Sequence, residues 1–250
     1  MSNSSKDPSN TRTFRFMALE GPLIVVSILL AFALDTMWEE RKREQEARIA
    51  LASLKAEFEK NLIECEDVRI THFDNAKAFA SLLKQSEETI LKMNDEEATR
   101  AYSRLITPRT FDPLVGTARS VMNAGTFSIL QDESLRKDLE IFLNLTEDTR
   151  EDISNMLHFM RITSEFEVSM GGPWGNPEDS SGWPGKTPPD ISYERQLTAE
   201  KLLELLNTPE YLGRVKLFYG SSTWYSSELE RLSDHIKKLL TTVDTMLEAN

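Results

Sequence analysis

The chain has 250 residues, with 41 acidic against 29 basic side chains, a net charge of -12 and a single cysteine. That length suits one helical domain plus an attached segment, because single domains run to roughly 100–200 residues, and it argues against a second large domain. The acidic balance speaks against a phosphate-backbone binder, which needs a clustered basic surface, and one cysteine excludes an intrachain disulfide and a thiolate metal cluster.

The charge is unevenly placed. Within residues 1–38, Lys6, Arg12 and Arg15 cancel Asp7, Glu20 and Asp35, so the whole net charge of -12 lies in residues 39–250. Residues 1–13 are polar and Ser/Asn-rich, and they read as a disordered tail. Residues 16–34 then form a stretch whose only charge is Glu20. At the helical rise this stretch reaches just under ~30 Å, the hydrocarbon thickness of a bilayer. Gly21-Pro22 suits a helix start there, and Trp38 falls where an aromatic interface anchor is expected. The segment 14–38 is therefore read as a transmembrane anchor and 39–250 as a helical bundle.

Two other readings of the apolar stretch stay open. Arg12 and Arg15, an apolar core and Ala31-Phe32-Ala33 also satisfy the pattern of a cleaved signal peptide. A helix apolar on all faces could alternatively be buried in a large core. Within the stretch, Glu20, Ile24, Ser27, Ala31, Asp35 and Trp38 recur every three or four residues and share one face. Glu20, Ser27, Ala31 and Asp35 make that face small and polar, a pattern expected either of a helix-association seam or of ionisable groups reaching the headgroups from both ends.

Residues 20–41, from Glu20-Gly21-Pro22 through the Ile/Val/Leu-rich core and Ala33-Leu34 to Trp38-Glu39-Glu40-Arg41, resemble the start of a family of bacterial single-span membrane proteins of undefined activity. A weaker similarity follows through 117–120, Ala124-Gly125, Ser128-Ile129-Leu130 and Leu135-Arg136 with Leu139. Pro22, where an apolar residue is usual, and a long Pro/Gly/Trp segment near residue 180 depart from that pattern. The resemblance implies an uncleaved anchor in a bacterial inner membrane followed by a helical domain, and it implies no active site. Lys6, Arg12 and Arg15 before the span face Arg41, Lys42, Arg43, Arg48 and Lys55 after it, a balance that leans towards a cytoplasmic domain.

Beyond the anchor the chain reads as all-α. No Gly or Pro occurs between Trp38 and Ile70, and Leu51, Leu54, Phe58, Asn61, Cys65 and Val68 make a stripe at 3,4 spacing with one polar member. Cys65 is expected as a small core residue. The spacing predicts a further helix over 74–93, a short one capped by Asp95 and ended before Pro108, and turns around a short helix over 106–131. Asp132 is expected to cap a helix over 133–144, with another through Ile153, Met156, Leu157, Met160 and Phe166. Residues 171–193, rich in Pro and Gly, read as a long irregular loop whose Trp174 and Trp183 either contact a ligand or partner or pin the loop to the bundle. Last, Tyr211, Val215, Phe218, Ser222, Tyr225, Leu229, Leu232, Ile236, Leu239, Val243 and Met246 keep an unbroken alternation. This predicts a helix packed along the first long helix, with coiled-coil pairing as the alternative.

No chemistry-bearing motif is found. His72, His158 and His235 lie in different predicted helices without metal-site spacing and are expected at surfaces or interfaces, and no Walker loop, G-x-S-x-G elbow or H-E-x-x-H occurs. No cofactor and no catalytic residue is expected. The sequence suggests an interaction or scaffold module at the membrane, with lipid and a protein partner or a second copy as its contacts. A sensor domain binding a small ligand between helices is the alternative.

Overall fold

The computed structural model describes residues 9–106, 108–123, 132–170 and 197–249, with side chains described from residue 23 onward except that of residue 106. All regular structure among them is helical: α1 (Ser9–Leu82), α2 (Glu87–Leu91), α3 (Asp95–Ile106), α4 (Gly116–Asn123), α5 (Glu133–Ser169), α6 (Ala199–Leu206) and α7 (Pro209–Ala249).

The 74 residues of α1 span ~110 Å at the helical rise. The helix begins inside the expected tail and passes through Gly21-Pro22 instead of starting there. Proline carries a helix-compatible φ but removes one N–H and crowds the carbonyl four residues back, at a cost of ~3 kcal/mol in a helix interior. The helix also continues past residue 70, where a break was expected. Thr71-His72-Phe73 holds no breaker, and a step of four from Val68 puts His72 on the buried stripe. The separate helix expected over 74–93 is thus the end of α1 plus the short α2.

Residues 23–46 of α1 are exposed throughout, and the first buried side chain is Ala47. From there Leu51, Leu54, Phe58, Asn61, Cys65, Val68 and His72 form a continuous buried face. Among the described residues, no helix is long and apolar enough to cross a membrane. Of the apolar stretch 16–34, side chains are described for residues 23–34 alone, and Glu20 lies outside them.

Three long helices make the core. Helix α7 runs antiparallel to α1, since Lys55 pairs with Asp244 at 2.6 Å, Cys65 meets Leu229, His72 meets Ser222, and Phe79 stacks on Tyr219 at 4.1 Å. Ascending numbers on one helix match descending numbers on the other. The same holds between α5 and α7, where Asp138 takes Lys238 at 2.7 Å and the Ile162 carbonyl takes Arg214 at 2.6 Å. Helix α5 is therefore parallel to α1, and Phe142 meets Phe58 edge-on at 5.1 Å. Every predicted seam position from Tyr211 to Val243 is buried, and Met246 is half-buried at the end. The seam is consumed by packing within the chain.

The two helices expected over 133–144 and near 153–168 are one, α5, capped by Asp132, whose carboxylate accepts from the Ser134 and Leu135 N–H groups. The polar stretch between them holds no Gly or Pro, and Thr146 and Thr149 are buried with their hydroxyls bonded back to Leu143 and Thr146 carbonyls. At α3 the cap is Asn94 and not Asp95: Asn94 Oδ1 accepts from the Glu97 N–H at 2.9 Å, and Glu97 reaches back to the Asn94 N–H at 3.0 Å. The loop expected over 171–193, with Trp174 and Trp183, lies outside the described residues.

Candidate functional site

Two places in this architecture hold side chains in arrangements that packing alone does not explain. The first is a strap, residues 108–115, that returns from α3 along the buried face of α1 towards α4. Helices and sheets satisfy their own backbone groups, whereas an irregular segment against a core must find side-chain partners. Here they come from polar residues set into the apolar stripes. Asn61 donates to the Leu114 carbonyl at 2.7 Å and accepts the Leu114 N–H at 2.8 Å. Tyr225 Oη accepts the Phe111 N–H at 3.0 Å. The Glu57 carboxylate accepts the Thr117 and Ala118 N–H groups at 2.7 and 3.0 Å, at the N-terminus of α4.

His72 completes the set. Its Nε2 lies 2.7 Å from the Arg109 carbonyl, which can only accept, so Nε2 carries the proton and Nδ1 accepts from the Ser222 hydroxyl at 2.6 Å. The ring is thus neutral and fully bonded. Burial holds its pKa below the ordinary histidine value, with the Arg109 carbonyl bond opposing that shift. His72 is 1% exposed, which corrects the expectation of a surface or interface residue. His158 is exposed beside Arg161, and half-buried His235 donates to the Asp138 carbonyl at 2.7 Å. Among the described residues, no three His, Cys, Asp or Glu side chains are grouped so as to hold a metal. Cys65 is fully buried as expected, donates to the Leu229 carbonyl at 3.3 Å, and has its thiol pushed up to about 12 by burial first and the Glu66 charge second.

The second place is the far end of the bundle. A cleft of ≈ 480 Å³ opens between the end of α1, α2 and α3, and a neighbouring hollow of ≈ 570 Å³ lies along α1; Ala78 and Arg104 line both. The end is braced by buried groups: Glu167, fully buried, accepts the Tyr102 hydroxyl at 2.8 Å, and Tyr219 donates to the Arg104 carbonyl at 2.8 Å. Burial raises the pKa of the Tyr211 hydroxyl, and the Glu167 charge raises it further. Nothing in the linear sequence announced this cleft, because its walls come from three helices. The local signal was an arginine in the last turn of α3, which reads as a cation complementing the helix dipole.

Of the residues expected on a helix-association face, Ser27, Ala31 and Asp35 are exposed and meet no other helix among the described residues, and the Ser27 hydroxyl is bonded to the Leu23 carbonyl at 2.8 Å. Trp38, at the end of that face, is 72% exposed. The geometry of the described residues defines a class of molecule: an antiparallel bundle of three long helices, one of which runs on through an exposed apolar segment. No family model matches the chain, and no curated protein or solved structure matches it either.

Proposed function

We propose that this chain is a membrane-tethered helical interaction module, with residues 14–38 of α1 as the tether and the bundle as the head. The supporting observation is the exposure of Leu23, Ile24, Val25, Val26, Ile28, Leu29, Leu30, Phe32 and Leu34, each between 50% and 67%, on a helix segment with no neighbour among the described residues. That argues against the buried-helix reading for this chain's own core. Fully burying such a side chain is worth roughly 1.5–3 kcal/mol, so moving the group from water into hydrocarbon gains on the order of 10 kcal/mol. Trp38 and Arg41-Lys42-Arg43 at its end match the interfacial belt. The head carries the whole net charge, and the exposed turns between Leu34 and Ala47 set it ~20 Å from an anionic surface that would repel it. The face of Glu20, Ser27, Ala31 and Asp35 is the place for a second copy or a partner helix to pair in the bilayer. The resemblance of residues 20–41 to the bacterial single-span family supports the same reading, and the cation balance favours a cytoplasmic head.

The test is topology and processing in one sample. The full chain with Cys65→Ser and Ala249→Cys is expressed in bacteria, extracted with alkaline carbonate, weighed, and labelled with an impermeant maleimide. The expected result is an intact mass in the membrane pellet, labelled only after lysis. Release by carbonate, or a mass short of residues 1–33, overturns the tether. A monodisperse monomer in detergent that co-purifies with nothing overturns the interaction role.

A further inference from the structure

The cleft at the far end of the bundle is unused by this reading, and it lies ~65 Å along α1 from Leu34, so it stands apart from whatever the exposed segment contacts. Its size falls in the range of pockets that enclose small organic molecules. Its floor is apolar: Leu82 is buried, and Met93 and Ala101 are half-buried. The rim carries Lys92, Arg100 and Arg104, Glu97 is the one acid among the described residues that line it, and Asp74 lines the neighbouring hollow. The Glu97 carboxylate accepts from the Asn94 N–H at 3.0 Å, which holds it at the start of α3, and it offsets one of the three cations. Lys92 and Arg100 are paired with Glu88 and Glu96 one turn back. Arg104 is different. Among the described residues its guanidinium has no ion pair, in a chain where acids outnumber bases 41 to 29. It projects from a braced helix, because its carbonyl holds Tyr219, which is itself stacked on Phe79, while Ala98, Tyr102 and Leu105 of α3 are buried. An arginine on a braced helix, its exposed side chain bordering two hollows beside an apolar floor, is placed to receive an oxyanion.

We propose that this cleft binds a small organic oxyanion with an apolar body, the anionic head on Arg104 and the body against Leu82 and Met93. A guanidinium takes a carboxylate or a phosphate monoester by the same paired hydrogen bonds, so that chemistry is common to both heads. The inference does not rest on the membrane tether.

The test uses the full chain in nanodiscs, labelled with ¹³C-methyl methionine, with Met93 assigned by Met93→Leu. Benzoate, phenyl phosphate and the neutral benzamide are titrated separately. A saturable shift of the Met93 methyl by at least one anion is expected, weakened about tenfold or more for benzamide and for Arg104→Met, as loss of a charge-assisted pair requires. Arg104→Lys, which keeps the charge and loses the fork, should fall between and guards against a misfolded Arg104→Met. Tighter benzoate binding assigns a carboxylate head, and tighter phenyl phosphate a phosphate ester. No saturable shift by either anion up to tens of millimolar (a Kd scale of roughly 2 kcal/mol) overturns the proposal, as does equal binding by benzamide or by Arg104→Met.

Discussion

Residues 23–46 and 47–82 belong to one uninterrupted helix, yet they obey opposite rules. In the first half apolar side chains surround the helix between residues 23 and 34, and the polar Ser27 and Thr36 bond the carbonyls one turn back. In the second half one apolar stripe is buried while Ile49, Ile63, Ile70 and Phe73 stay exposed, and the polar residues Glu57, Asn61 and His72 reach across to backbone groups of the strap and the start of α4, 37 to 61 residues away. Secondary structure is therefore indifferent to the distinction. What differs among the described residues is the covering: the distal half is packed by its own chain, and the side chains of 23–46 are exposed.

That contrast can be broken by making the same change in both halves. Phe58 is fully buried against Phe142, so Phe58→Ala should cost ~3–5 kcal/mol. In a bundle of this size that lowers the unfolding midpoint by roughly 10 °C. Phe32, 66% exposed, should change bundle stability by less than ~0.5 kcal/mol when cut to Ala. Thermal unfolding followed by circular dichroism in one detergent compares the two; equal losses would mean that the proximal half packs on the bundle after all.

A smaller effect sharpens the role of the polar stripe. Asn61→Leu keeps the volume and removes both bonds to Leu114, leaving a part-buried N–H and carbonyl without their partner at a cost of ~1–3 kcal/mol. Ser27→Ala, which deletes only a bond to the preceding turn, should stay within ~0.5 kcal/mol. Amide hydrogen exchange should show protection of Leu114 lost in Asn61→Leu alone. Unchanged protection would mean that the strap is held by its apolar contacts.

The smallest effect is a pH dependence confined to the distal half. His72 is neutral in the fold with its pKa below 6.5, so as pH drops past 6.5 the unfolded chain takes up a proton that the folded one refuses, and stability falls. Glu66, held down to about 2 first by Lys237 and then by Ser233, adds its own loss between pH 4.5 and 2, because it is the unfolded carboxylate that protonates first. The midpoint difference between the native chain and His72→Gln should therefore shrink as pH goes from 7 to 5. A constant difference would remove the histidine from the account.

The stripes over 51–68 and 211–246 were legible because a strict 3,4 spacing encodes which face is buried. Cys65 was legible for the same reason, sitting on such a stripe in a chain where it has no thiol partner. Asn61 stood out as the polar member of its stripe, but its partner at Leu114 could not be read, since no local pattern links positions 53 residues apart. His72 was misplaced although continuing the stripe from Val68 by four lands on it. The polar run through Thr146 and Thr149 looked like a break in α5 because threonine hydroxyls hide their polarity only once a helix supplies the carbonyl to bond.

The sequence by itself determined that the chain is helical, that its first apolar segment carries one face of small and polar residues, and which faces of the later helices turn inward, because those properties depend on residue types at local spacing. The tertiary structure alone decided that α7 runs antiparallel to both α1 and α5, that the strap lies against His72 and Asn61 with Glu57 at the start of α4, and that Arg104 lines an apolar-floored cleft with no ion pair among the described residues. A stripe encodes the need for a partner but not its identity, which follows from shape and hydrogen-bond complementarity between segments far apart in the chain.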